Sequence, residues 1–110
     1  MHNFKIKQLE TYNKINGLDY LIQAQYEEFE SHLEALEFIE EKFKTCYECA
    51  AEFFTGSQLD NVNYYLKKAE LHKREAIISK MQACYDKMEA LAFEKADLME
   101  VVFNGWNHNQ

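Results

Sequence analysis

The sequence predicts an all-α protein: a long antiparallel helical hairpin with a short N-terminal element, joined to a second copy as a four-helix bundle. Three observations predict it. The 110 residues contain no proline, and the three glycines, Gly17, Gly56 and Gly105, each fall where a helical pattern stops. Apolar residues recur at alternating spacings of 3 and 4 on both sides of Gly56, the period of a buried helix face. A second apolar row, every seventh residue, lies beside the first and exceeds what two helices can cover.

Composition permits such a core. Hydrophobic residues make up 47% of the chain and aromatics 15%, too much apolar mass for a disordered segment. One domain, 1–110, is expected. No run approaches the roughly 18 to 20 uncharged apolar residues of a membrane span. The N-terminal MHNFKIKQLETYNK lacks the apolar centre of a signal peptide, so a cytoplasmic location is expected. Cys46, Cys49 and Cys84 are odd in number, which fits reduced thiols better than a disulfide framework.

Taken in order, residues 1–17 read as an N-terminal arm or short helix. Phe4-Lys5-Ile6-Lys7 alternates like a strand but has no partner strand, whereas Leu9, Tyr12 and Ile15 suit a helix face. A bend at Asn16-Gly17 leads into the first long helix, 18–55, with Asn16 as its cap and Asp19 in its first turn. The inner line of that helix reads Ile22, Tyr26, Phe29, Leu33, Leu36, Phe43, Tyr47, Ala50 and Phe54, interrupted at Glu40. Ile39, Cys46 and Phe53 form a flanking row that widens the buried face beyond a strict coiled-coil seam.

Thr55-Gly56-Ser57 ends the helix. Gly56 suits a left-handed turn position, and Ser57 with Asp60 resembles a capping box for the second helix, 57–104. So short a connection makes the helices antiparallel neighbours, with facing residue numbers summing to about 113. The second helix carries a seam of Ile77, Met81, Cys84, Met88, Leu91, Leu98 and Val102, with Lys95 intruding. A stutter is expected at Ala69, Lys73 and Ile77, spaced 4 and 4. The register sets Glu40 and Glu41 opposite Lys73 and Arg74, so the polar interruptions of both seams meet and fix the alignment. Residues 105–110 read as a frayed tail, with Trp106 folding back near Val101.

Phe38, Phe53, Tyr64, Leu71, Ile78, Tyr85 and Met99 remain outside that hairpin. The regular row Tyr64, Leu71, Ile78, Tyr85 and Met99 is therefore the expected self-association face of a homodimer.

Charge points to a second face. The formal net charge is −7, and residues 18–55 hold ten acids against Lys42 and Lys44. Glu27, Glu30, Glu34, Glu37 and Glu41 recur at 3, 4, 3 and 4, one unbroken carboxylate row on a helix. Like charges four apart cost a few tenths of a kcal/mol each, and a row built only for solubility would interleave lysine. Carboxylates at that repeat can occupy Arg and Lys sites meant for phosphates, so the expected partner is a protein with a basic surface. The bland reading of the same row is a solvated face. Direct nucleic-acid binding is disfavoured by the charge, and no membrane association is expected.

Catalytic chemistry finds no support. The Glu-x-x-His pattern of di-iron bundles is absent, since Phe29 and Ala69 stand three residues before His32 and His72. Cys46 and Cys49 are three apart and His72 lies about a turn from them across the expected register, but a zinc site there lacks a fourth ligand. His32 and Cys84 fall close in that register without an orienting group or an oxyanion pocket. Three isolated glycines cannot make a phosphate loop. No cofactor and no catalytic residue are assigned.

The expected function is a non-catalytic acidic helical module, an inhibitor or adaptor that docks its Glu row on a basic partner. That partner could be one that handles nucleic acid. The alternatives are a structural bundle that self-associates through its apolar face, and a metal- or redox-handling bundle.

Overall fold

A computed structural model describes the backbone of residues 2–108 and the side chains of residues 5–104. Within them the chain is all-helical: α1 (His2–Phe53) and α2 (Gly56–His108), joined by Phe54-Thr55. Gly56 adopts φ 59°, the left-handed conformation that reverses the chain at no Cβ penalty. The Phe54 N–H donates to the Ala50 carbonyl at 2.9 Å and closes the last turn of α1. The Leu59 N–H reaches the Thr55 carbonyl at 3.4 Å, so α2 starts from the turn itself. The expected capping box does not form, since Ser57 and Asp60 share no bond among the described residues.

The separate N-terminal element is a correction. α1 runs unbroken through Asn16-Gly17. A mid-helix glycine costs about 1 kcal/mol. Burying Leu18 and half-burying Ile15 on either side of Gly17 outweighs that, so no bend is needed. α2 likewise continues past the expected stop at Asn104-Gly105, while the side-chain placement expected of Trp106 lies outside the described residues.

The chain forms two compact units, each built from a segment of both helices. The terminal unit, 1–28 with 84–110, has Leu18 and Cys84 as its buried residues. Half-buried Ile15, Ile22, Met88, Leu91 and Leu98 extend that seam. Cys84 is buried, as its seam position suggests. Lys95, the expected seam intruder, is half-buried and reaches out to pair with Asp19.

The turn unit, 29–83, is the helical hairpin proper. Its half-buried line on α1 is Phe29, His32, Leu36, Ile39, Phe43 and Tyr47, ending at buried Ala50. The expected inner line is right at every seventh position from Ile22 to Ala50 and at Tyr47, but wrong at Tyr26, Leu33 and Phe54. Tyr26, Leu33 and Phe54 are exposed at 47%, 38% and 38%, while Gln25, His32 and Ile39 point inward. A regular 3-4 repeat admits one choice of alternate position. The choice that aligns with Leu18 and Ile39 wins over the more hydrophobic one. Of the flanking row only Ile39 is partly covered, whereas Cys46 and Phe53 are exposed. The stutter exists but lies at Leu66, Glu70 and Arg74, with Ala69 and Lys73 exposed.

That stutter holds a polar layer. Glu70, 8% exposed, accepts a hydrogen bond from the Tyr47 hydroxyl at 2.9 Å. Its other carboxylate oxygen lies 3.7 Å from Arg74, which also pairs with Glu40 at 3.3 Å. The Glu40–Arg74 contact is the expected register pairing to within one residue. Lys73 instead stands over the Phe43 ring, 5.9 Å from its centroid.

Candidate protein-interaction faces

The acidic row lies on one helix. Glu27, Glu30, Glu34, Glu37 and Glu41 all sit on α1 and all are exposed. At 100° per residue they cluster on the side of α1 away from the half-buried line. Among the described residues none of the five carboxylates makes an ion pair or hydrogen bond. The acids nearer the seam behave differently, since Asp19, Glu40 and Glu70 are each held by a cation. The lysines of the stretch do not neutralise the row. Lys42 lies over the Phe38 ring at 4.8 Å, and Lys44 is exposed. The result is a file of solvated, unpaired carboxylates spaced about 5–6 Å apart along a rigid backbone.

The apolar row lies on the other helix. Tyr64, Leu71, Ile78, Tyr85 and Met99 are 63%, 43%, 46%, 53% and 51% exposed on α2. Half-exposed side chains of this size are more than scattered surface hydrophobes, because they repeat with the same seven-residue period as the seam beside them. Near the turn, Tyr64 packs edge-to-face on Tyr65 with ring centroids 5.4 Å apart, and both rings face water. In the terminal unit, Met99 joins Tyr12, Ile15, Val102 and Phe103 around an open apolar groove of about 300 Å³. Sequence reasoning missed that groove, since it assigned Tyr12 and Ile15 to an element of their own.

The Cys46, Cys49 and His72 side chains do not assemble as a ligand set among the described residues. Cys46 and Cys49 are exposed and unpaired. Burial raises the Tyr47 hydroxyl above the usual phenol range, and the hydrogen bond to Glu70 and the charge of that carboxylate push the same way.

No protein family, curated protein or solved structure matches the chain. No described helix is long and apolar enough to cross a membrane.

Proposed function

We propose that the protein is a non-catalytic binding module, an inhibitor or adaptor that docks the Glu face of α1 on a basic partner protein. One observation carries this reading: five exposed carboxylates in register on one helix, none paired with a cation among the described residues, whereas Asp19, Glu40 and Glu70 nearer the seam are paired. Such a file offers bidentate acceptors to Arg and point-charge contacts to Lys. Its rigidity keeps the ordering penalty on binding small. The test is affinity capture over a salt series, wild type against Glu30→Lys/Glu34→Lys/Glu37→Lys. Loss of the captured protein with salt and with the triple variant, at unchanged helix content, is the expected result. Capture insensitive to both overturns the reading.

A second reading concerns assembly. The exposed apolar row on α2 favours a homodimer, two copies forming a four-helix bundle whose acidic rows stay outside. Leu71→Glu or Tyr85→Glu should then yield a monomer, while the Glu→Lys variant stays dimeric.

A further inference from the structure

The homodimer reading leaves open which surfaces meet and in which direction. The apolar row on α2 narrows this to one arrangement. α1 offers no equal, because apolar Tyr26 and Leu33 on the same flank are bracketed by charged Asp19 and Glu40. The α2 row, by contrast, continues from Tyr64 through Leu71, Ile78, Tyr85 and Ala92 to Met99 without a charge.

We infer that a second copy of this chain docks α2 against α2 in antiparallel orientation, the Tyr64–Tyr65 pair of each seating in the Met99 groove of the other. The inference rests on the homodimer reading and adds its geometry. Three independent features agree on the direction. The first is size. A two-fold axis between Ile78 and Tyr85 sets Tyr64 against Met99, Leu71 against Ala92 and Ile78 against Tyr85. Leu71 then meets Ala92, where a parallel pairing would stack Tyr on Tyr and Ala on Ala.

The second is charge. Residues 56–83 of α2 hold five bases (Lys67, Lys68, Lys73, Arg74, Lys80) against three acids, net +2. Residues 84–108 hold Lys87 and Lys95 against five acids, net −3. Antiparallel docking puts the positive half of each copy beside the negative half of the other, and parallel docking puts like on like. Beside the row itself, antiparallel pairing brings two like-charge pairs together, Glu75 near Glu89 and Lys67 near Lys95. Parallel pairing would bring together Lys68 with Lys68, Glu75 with Glu75 and Glu89 with Glu89. The third is shape. The exposed aromatic pair and the open apolar groove are a knob and a socket, and the two-fold that satisfies size and charge brings Tyr64 to Met99.

Sedimentation equilibrium gives the mass, and cysteine cross-linking gives the direction. In a Cys46→Ser/Cys49→Ser background, Leu71→Cys and Ala92→Cys are made singly and together and treated with a short bis-maleimide. In the antiparallel dimer the two Leu71 positions lie roughly 30 Å apart along the axis, so the single variants stay uncrosslinked. The double variant should give a covalent dimer, and Tyr64→Ala should weaken association at least about 10-fold with helix content unchanged. A protein that stays monomeric to about millimolar concentration overturns both the homodimer reading and this arrangement. A dimer whose single variants cross-link as well as the double one keeps the homodimer and overturns the antiparallel contact. A dimer indifferent to Tyr64→Ala overturns the knob and socket.

Discussion

The two compact units are cut from the same two helices and the same seven-residue repeat, yet they hold together by different chemistry. The terminal unit relies on burial. Leu18 and Cys84 are buried there, and the Asp19–Lys95 ion pair sits at the rim with Asp19 half exposed. The turn unit places its polar contacts inside. Glu70 is buried alongside Ala50 and is tied to Tyr47 and Arg74, with Arg74 held in turn by Glu40. Burial is indifferent to a slip of one heptad, because one apolar side chain can replace another. A hydrogen-bonded charge layer is not, because slipping it leaves a carboxylate and a guanidinium unpaired. The terminal unit therefore supplies affinity between the helices, and the turn unit supplies alignment.

The largest expected effect tests the first half of that division. Leu18→Ala removes the largest buried side chain of the terminal unit and should lower unfolding free energy by about 3 kcal/mol. Chemical denaturation followed by circular dichroism measures it. A cost under about 1 kcal/mol would mean that Leu18 burial is not what holds this unit.

Next in size is the polar layer. Glu70→Ala strands the Tyr47 hydroxyl and leaves Arg74 with Glu40 alone, at a cost of about 2 kcal/mol. That figure already allows for Arg74 being one-third exposed and screened by solvent. The joint variant Tyr47→Phe/Glu70→Leu/Arg74→Leu should recover wild-type stability or exceed it, since apolar side chains pack without a desolvation penalty. Its expected defect is alignment, seen as more amide resonances than residues in a nitrogen-proton correlation spectrum. A single sharp set of resonances from that variant would remove the alignment role from the turn unit.

The same contrast decides what could be read from the sequence. The α2 seam from Ile77 to Val102 was legible because its residues are apolar and regularly spaced, and Lys95 could be marked as an intruder from its position alone. On α1 the 3-4 repeat was clear but its alternate positions were not. Tyr26 and Leu33 outrank Gln25 and His32 in hydrophobicity, and only packing against a second helix turns the polar pair inward. The Glu40–Arg74 contact followed from the turn length, which fixes the register. Glu70 was missed, because a glutamate in a helix gives no signal of burial until its partners Tyr47 and Arg74 are placed around it. Both interaction faces were legible as rows. The groove around Met99 was not, since it depends on α1 continuing straight through Gly17.

Tyr47→Phe isolates one bond of the polar layer and should cost about 1 kcal/mol at neutral pH. Its sharper signature is in pH. The hydroxyl of the folded protein holds its proton above the ordinary phenol value of 10.0. The folded state therefore binds more protons than the unfolded state at high pH, and stability falls as pH rises above about 10. Below that pH the contribution is fully present. The variant lacks the group and should lose stability less steeply between pH 9 and about 11, so the two proteins converge. Parallel curves for wild type and Tyr47→Phe would show that the Glu70 bond is not formed in solution.

The smallest effects come from two glycines, one in each unit. Gly17 lies in α1 without a positive φ, and a Cβ there would meet nothing within 4 Å. Gly17→Ala should therefore stabilise by about 0.5–1 kcal/mol, through loss of unfolded-state freedom and better helix propensity. Gly56 also has open space around it, but its φ of 59° puts a side chain in conflict with its own backbone. Gly56→Ala should destabilise by about 1 kcal/mol. Two identical substitutions with opposite signs separate a glycine that the helix tolerates from one that the turn requires. Thermal melts of the pair report this directly, and destabilisation by Gly17→Ala would restore the bend that the sequence pattern alone suggested.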